Sequence, residues 1–399
     1  MEKVKIVAFD HQGRGIAKIN NKVVFVPNTL VGEIVNIEIL IDKKKYAVGL
    51  AKEIVKKSPK RVNVLCPYYD KCGGCDLLHI EYNEQLKLKE GMVKNIFDRY
   101  LKKEVKINKI VSGKQYNYRN KVTLQVNKNI GFFNKSSYDI VNIDNCLIAS
   151  ENINYFINSL KKMNLKDVSQ VIIRCSKNTN DKMLAFKTNK NIDINLLKDN
   201  VSSLIINDKV IYGKNKIIER LKDYQFVISP NAFFQTNTDM AINLYDTVIE
   251  MANFDLNDIV LDLYCGTGTI GIYISKNVKQ VLGVEINQSA INDAKENKKI
   301  NNIKNISFIC EDSSKVLKNI KYKPNVVIVD PPRSGLTKKL IYDLLKIKAN
   351  KIIYVSCNPL TLVRDLNLLE NKYDVVSVTP VDMFPNTHHV ECVCLLKLR

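Results

Sequence analysis

The 399-residue sequence contains no tryptophan, only four histidines and no long apolar run. A helix that spans a membrane needs about 18 or more consecutive apolar residues, so no such helix is expected. Residues 1–6 lack the apolar core of a signal peptide, which predicts a cytoplasmic protein. Disulfides are rare in that compartment, and the ten cysteines therefore favour metal binding or catalysis.

Acidic residues are also scarce: the sequence has 41 Asp and Glu but 61 Lys and Arg, which gives a net charge of +20. A basic surface attracts polyanions, which favours a nucleic acid as partner. Only nine of the basic residues are Arg and Asn is abundant, so a coding bias toward Lys and Asn competes with that interpretation. The 45% hydrophobic and 26% charged residues are typical of a globular chain of two or three domains.

Residues 1–58 are predicted to form a small OB-like β-barrel. Segments 4–9, 22–26, 33–41 and 46–55 are apolar or alternating, and turn residues separate them. Barrels of this kind bind nucleic-acid backbones through positive charge. The basic run at residues 43–45 fits that role, and it fits a solvated loop tip as well.

Three cysteines lie within ten residues at Cys66, Cys72 and Cys75, and Cys146 is the best candidate for a fourth ligand. The two glycines at 73 and 74 allow a tight loop whose amides donate to sulfur. Four thiolates suit a 4Fe–4S cluster or a structural zinc ion. The five-residue first gap is wider than zinc sites usually have, so we favour the cluster; unliganded cysteines are the third alternative.

The cysteines belong to a predicted central α+β domain at residues 59–229, in which antiparallel strands alternate with helices. Arg119 and Lys121 alternate onto one face of a strand there. They are either a phosphate contact or an ordinary solvated sheet face.

Residues 230–399 carry the pattern of a Rossmann-like parallel sheet. A strand runs from 259 through Asp262 and Tyr264 into a loop with Gly266 and Gly268, and a second strand ends at Glu285. Glycines let a ligand approach a helix amino end, and an acid at the next strand end accepts ribose hydroxyls. These residues alone do not distinguish NAD from S-adenosylmethionine.

Two later strands end in further reactive groups. One runs into Asp330-Pro-Pro-Arg333, and proline there stiffens a loop of the kind that holds a flipped base. The other ends at Cys357, where ligands of an open parallel sheet bind. Cys357 is predicted to be a nucleophile, although core packing is the commoner role of a cysteine. Strands at 375–381 and 390–398 are predicted to close the sheet as a hairpin.

The chain resembles the RNA uracil-5-methyltransferases of the TrmA/RumA type in its four cysteines, its glycine loop, Asp330-Pro-Pro-Arg333, Cys357 and His389-Val-Glu391. The Gly13-Arg14-Gly15 region resembles their TRAM domain, an OB-like barrel. The resemblance covers nearly the whole chain. It implies that Cys357 is the nucleophile and Glu391 the base, with a 4Fe–4S cluster on the four cysteines. The residues implied to bind S-adenosylmethionine are Gln235, Tyr264, Gly266, Gly268, Glu285, Asp312 and Asp330. Thr269 stands where some members have Asn.

The implied chemistry adds a thiolate to carbon 6 of uracil so that carbon 5 can accept a methyl group, after which a carboxylate removes the carbon-5 proton. A thiolate is needed, so we expect the pKa of Cys357 to be lowered. The family pattern favours 23S rRNA as substrate, with tRNA as the alternative, and we assume a monomer. The competing hypotheses are an amino- or cytosine-methyltransferase, an iron–sulfur nicotinamide oxidoreductase and a non-catalytic RNA-binding protein.

Overall fold

The computed structural model describes residues 1–320 and 323–399. The N-terminal strands form a sheet in the order β1-β5-β6-β4-β3-β2. They are β1 (Glu2–Lys5), β2 (Ala8–Phe9), β3 (Gly15–Ile19), β4 (Lys22–Val26), β5 (Ile34–Asp42) and β6 (Tyr46–Lys56). The segment predicted as one strand at 4–9 is two, because the chain changes partners: the Ile6 amide donates to Glu33 and the Val7 amide to Ile16. That change joins the two edges of the sheet and closes the small barrel.

The next part of the chain forms a mostly antiparallel sheet in the order β10-β9-β8-β11-β12-β13-β14. Its elements, with those that flank it, are α1 (Tyr82–Tyr100), β7 (Lys106–Ile107), β8 (Lys121–Val126), β9 (Ile130–Phe133), β10 (Ile140–Asn142), α2 (Glu151–Leu160), β11 (Val168–Cys175), β12 (Lys182–Thr188), α3 (Asn195–Lys198), β13 (Ser203–Ile206), β14 (Lys209–Gly213), β15 (Ile217–Leu221) and β16 (Tyr224–Ile228). Phe156 and Ile157 of α2 pack on Leu124 and Val171 of this sheet. One face is therefore buried, and the other is left for contacts elsewhere.

The C-terminal sheet has the order β19-β18-β17-β20-β21-β23-β22-β7. Its elements are α4 (Thr238–Ala252), β17 (Ile259–Leu263), α5 (Thr269–Ile274), β18 (Gln280–Glu285), α6 (Gln288–Ile300), β19 (Ile306–Cys310), α7 (Ser313–Asn319), β20 (Val326–Val329), α8 (Lys338–Ile347), β21 (Lys351–Ser356), α9 (Pro359–Leu369), β22 (Tyr373–Val381) and β23 (Glu391–Leu398). The strands from β19 to β21 run parallel, and β23 is antiparallel to β21. Apolar clusters cover both faces, as the continuous apolar strands predicted.

Parts of the predicted central domain lie against the catalytic sheet. Strand β7 pairs with β22 at the edge, α1 shares a core with α9, and the hairpin β15–β16 packs into the opposite core. The division at residues 58 and 229 stays a prediction. In the part of the chain that the structure describes, no helix is both long and apolar enough to cross a membrane.

Candidate active site

The strand order reverses between β17 and β20, which lie side by side although β18 and β19 come between them in the chain. A crevice forms at such a switch point, at the carboxyl ends of the strands. Tyr264 follows β17 and Asp330 follows β20, so both lie at this crevice. Together with Gln235, Gly266 and neighbouring residues they line one cavity. The structure thus brings together residues predicted from separate motifs.

The glycine loop has the conformation that its sequence predicted. Gly266 and Gly268 have φ angles of 53° and 78°, and Tyr264 has a φ of 63°, a strained value for an aromatic residue. A Cβ on Gly268 would lie 2.7 Å from the Phe308 ring, so a side chain is excluded there. The Gly266 amide donates to Glu285 Oε2 at 3.2 Å, which ties the loop to the end of β18.

The remaining expected cofactor residues surround Tyr264. Asp312 caps α7 by accepting from the Ser314 amide. Burial, and then the nearby charges of Asp312, Asp365 and Glu285, raise the pKa of Tyr264. The sequence did not indicate Tyr245, which lines the same cavity. S-adenosylmethionine fits this site, which has an acid at the end of β18, a glycine loop and aromatic walls.

Asp262 is buried beneath this loop. Its Oδ2 accepts from the Gly271 amide at 3.1 Å, while Oδ1 has no hydrogen-bond partner among the described residues. Burial, followed by the charge of Asp330, raises the pKa of Asp262 to about 8. A carboxyl oxygen left without a partner destabilises the protein, and a bound polar ligand would relieve that cost.

Cys357 and Glu391 face each other across two neighbouring strands. Ser356, the last residue of β21, pairs with Cys392 of the antiparallel β23, so Cys357, which follows Ser356, lies beside Glu391, which precedes Cys392. Directly opposed residues of antiparallel strands have Cα atoms about 4.5–5.5 Å apart. Glu391 is only 6% exposed, and Cys357 is half-buried. The structure therefore places the two predicted catalytic side chains in one site.

The protonation of this site differs from the sequence-based expectation. Burial, then the charge of Glu391, raises the pKa of Cys357 to about 11, although Arg333 opposes the shift. Burial and the charge of Asp330 raise the pKa of Glu391 to about 8. The expected lowering of the Cys357 pKa is absent because burial of the thiol, together with the charges of Glu391 and Asp330, outweighs the charge of Arg333. Both shifts favour the neutral forms of the thiol and the carboxyl before RNA binds.

The N-terminal barrel forms part of the wall at Cys357, which the sequence did not indicate. A cavity of about 190 Å³ is lined by Cys357, Arg333, His388 and His389 and by His11 and Gln12 of the barrel. Asp10 Oδ1 accepts from the amides of Gln12 and Arg14, at 2.9 and 2.8 Å, and fixes this loop. A Cβ on Gly13 would lie 2.8 Å from Leu77, so only glycine allows such close packing.

The segment that leads to Glu391 is anchored by the preceding domains. Asp382 and Lys89 are both fully buried and form an ion pair at 2.5 Å. The Asn386 carbonyl accepts from the amides of Asp76 and Leu77, at 2.9 and 3.0 Å. Helix α1 and the cysteine loop therefore determine where this segment lies.

The loop after β20 is fixed against the helix that follows Cys357. The Arg333 carbonyl accepts from Asn358 Nδ2 at 3.3 Å and from Thr361 Oγ1 at 3.2 Å. Arg333 Nη2 lies 3.2 Å from His389 Nε2, and the rings of His388 and His389 have centroids 4.1 Å apart. These contacts form a polar, stacked surface beside the thiol.

The four predicted ligand cysteines line a second cavity, of about 410 Å³, with Arg119 on its wall. Among the residues that the structure describes, no group of three or more His, Cys, Asp or Glu is placed to hold a metal ion. The predicted iron–sulfur cluster and the zinc alternative are therefore not confirmed. The thiols surround a space that is larger than one ion, and a Cβ on Gly74 would lie 3.5 Å from Cys72 Sγ.

The chain is similar to known proteins over almost its whole length. The TRAM domain model matches residues 2–52, and the tRNA (Uracil-5-)-methyltransferase model matches residues 174–399. An RNA methyltransferase of Staphylococcus aureus strain MSSA476 is 37% identical, over 99% of this chain and 97% of its own. One from Staphylococcus epidermidis ATCC 12228 is 34% identical over 98% and 96%.

A solved structure is similar over the same length. The Pyrococcus abyssi tRNA (uracil-54, C5)-methyltransferase, in complex with S-adenosyl-L-homocysteine, has a TM-score of 0.81 and 31% identity. The alignment covers 98% of this chain and 99% of that one. The likeness includes the barrel, the middle sheet and the catalytic sheet. The chain belongs to the tRNA (uracil-5-)-methyltransferase family and is an S-adenosylmethionine-dependent RNA methyltransferase.

Proposed function

We propose that the protein methylates carbon 5 of a specific uridine in RNA through a temporary bond between Cys357 and carbon 6 of the uracil. The observation that carries the proposal is the β21–β23 register, whose last pair, Ser356 and Cys392, brings Cys357 and Glu391 close to each other, and the charge of Asp330 from the cofactor crevice acts on both. A nucleophile and a carboxyl base in one site are what this reaction requires.

Carbon 5 of uracil is a weak nucleophile on its own. Addition of the Cys357 thiolate to carbon 6 makes an enolate in which carbon 5 is nucleophilic. The Tyr264–Gly268 loop, Glu285, Asp312, Gln235 and Asp330 would hold S-adenosylmethionine, which would give its methyl group to carbon 5 and leave as S-adenosylhomocysteine. Glu391 then takes the proton from carbon 5, and the C–S bond breaks to restore the ring and release the thiolate.

The raised pKa of Glu391, which burial brings to about 8, suits this step. A carboxylate whose pKa lies near the working pH is a stronger base than an exposed one, yet it ionises at that pH. Ionisation of both Glu391 and Cys357 is required, so activity is expected to rise with pH above 7.

Transfer of a labelled methyl group from S-adenosylmethionine tests the proposal. The parent protein should form 5-methyluridine in RNA. Cys357→Ser should form none while binding S-adenosylhomocysteine with unchanged affinity in calorimetry. Turnover by Cys357→Ser, or methylation of a base other than uracil, would overturn the assignment.

For the substrate we favour 23S rRNA, which the family pattern of a barrel with four cysteines implies. Transfer RNA is the second candidate, because the P. abyssi tRNA enzyme aligns with 98% of this chain, barrel included. Mapping 5-methyluridine in both RNAs from a strain that lacks the gene separates the two. Loss of the modification from 23S rRNA alone supports the first, and loss from tRNA alone the second.

We also propose that Cys66, Cys72, Cys75 and Cys146 hold a 4Fe–4S cluster with a structural role. All four thiols line one cavity with room for a group larger than a single ion, and two glycines follow Cys72, the second of them with its backbone close to the Cys72 sulfur. Protein purified without oxygen should be brown, with about four iron and four sulfide per chain. Colourless protein with one zinc per chain would refute the cluster.

A further inference from the structure

Two cations lie side by side on the middle sheet, and no acidic side chain among the described residues neutralises them. Lys121 of β8 and Arg174 of β11 are directly opposed in the antiparallel register, so both side chains leave the sheet on one face. That face is opposite to the one on which Val122 and Leu124 enter the apolar core. Like charges that are directly opposed destabilise a sheet, so an ordinary structural role does not explain the pair.

Arg174 is only 3% exposed, and its guanidinium is largely without partners. Nη2 donates to the Ala232 carbonyl at 2.9 Å, while Nε and Nη1 have no partner among the described residues. Burial lowers the pKa of Arg174 to about 10. Burial, and then repulsion from Arg174, lower the pKa of Lys121 to about 8. Both shifts have the sign expected where no carboxylate lies close enough to offset burial.

The pair lies between the cysteine cavity and the cofactor crevice. Thr123 and Gln125 lie on the same face of β8 as Lys121 and line the cysteine cavity. On the other side, Asn120 donates to the carbonyl of Gln235 at 3.1 Å, next to the cofactor crevice. A buried, unpaired charge costs several kcal/mol unless a ligand of opposite sign is bound. An anion at this position would remove that cost.

We propose that Lys121 and Arg174 form a binding site for an anionic oxygen group, a backbone phosphate of the RNA substrate. Lys121 is half-buried, so an anion can approach the pair from its side of the sheet. The guanidinium of Arg174 is planar, and its N–H groups can donate to two oxygens of one anion. The carboxylate of S-adenosylmethionine has the same chemistry and is the other source within reach. The phosphate assignment rests on the proposed RNA substrate.

The test compares Lys121→Met and Arg174→Met with the parent in binding a fluorescein-labelled single-stranded RNA across a range of salt. Each variant should bind about tenfold more weakly, and the slope of log affinity against log salt should fall by about 0.7. Lys209→Met, which removes an exposed charge from the outer strand of the same sheet, should change affinity less than twofold. Lys121→Arg, which keeps the positive charge, should bind the RNA as tightly as the parent does.

Stability separates a ligand site from a structural contact. Because the repulsion and the buried charge disappear, both Met variants should unfold without RNA at the same temperature as the parent or higher. A lower temperature together with unchanged RNA affinity would mean that the pair is structural. If Arg174→Met does not fold, Lys121→Met and Lys121→Arg decide the question alone.

Calorimetry with two cofactor fragments identifies the source of the anion. A phosphate site leaves the affinity for S-adenosylhomocysteine unchanged in both variants. A carboxylate site weakens it about tenfold while leaving unchanged the affinity for 5′-methylthioadenosine, which has no carboxylate. RNA and cofactor affinities that both stay within twofold of the parent would overturn the proposal. Formation of 5-methyluridine by the parent is scored separately, so failure of the proposed function is visible on its own.

Discussion

Iodoacetamide should alkylate Cys357 of the RNA-free protein much more slowly than an exposed thiol. Burial and the charge of Glu391 raise the pKa of Cys357 to about 11. At pH 7.5 an ordinary cysteine of pKa about 8.5 is about 9% thiolate, whereas Cys357 is about 0.03% thiolate, a ratio of about 300. A more basic thiolate attacks about tenfold faster, which leaves Cys357 about 30-fold slower.

Site-resolved mass spectrometry measures this rate, with the exposed Cys310 as the reference in the same chain. The rate at Cys357 should rise about tenfold per pH unit from 7 to 9.5 without a plateau. Glu391→Gln should alkylate like the parent below pH 7, where Glu391 is protonated, and faster above pH 8, where the carboxylate would repel the thiolate. A plateau below pH 9, or equal rates for Cys357 and Cys310 at pH 7.5, would refute the reasoning.

Three further changes test other parts of the site. Glu391→Gln should still methylate but accumulate an RNA–protein adduct on denaturing gels, since no base removes the carbon-5 proton; intact turnover without adduct means that another base acts. Lys89→Met leaves the buried Asp382 carboxylate without its counter-ion and should cost about 3–5 kcal/mol in urea unfolding, whereas Lys94→Met on the exposed face of the same helix should change the urea midpoint little. The double variant His11→Ala, Gln12→Ala should raise KM for RNA several-fold and leave S-adenosylhomocysteine affinity unchanged; an unchanged KM would exclude the barrel loop from the substrate pocket.

Residues at the carboxyl ends of strands were the most predictable part of the site. Glu285, Asp330 and Cys357 each end an apolar run, and parallel strands bring such ends to one edge. The fold class followed from the same runs. That Glu391 lies opposite Cys357 depends on the β21–β23 register, which the sequence does not specify by itself.

Contacts between distant parts of the chain were not predictable. His11 and Gln12 reach the cavity of a thiol about 350 residues away, and β7 joins the edge of the catalytic sheet through two residues only. Neither has a periodic or compositional signal in the sequence. The pKa of Cys357 was predicted in the wrong direction because burial and the acids around a thiol are properties of the fold.

The most direct test uses RNA with 5-fluorouridine at the target position, together with S-adenosylmethionine. After methyl transfer, carbon 5 carries fluorine in place of the proton that the base would remove. The bond between sulfur and carbon 6 should therefore persist and give a stable conjugate. We expect that conjugate to be attached at Cys357, to require the methyl donor and to be absent from Cys357→Ser. No conjugate, or one attached through a different side chain, would contradict the account.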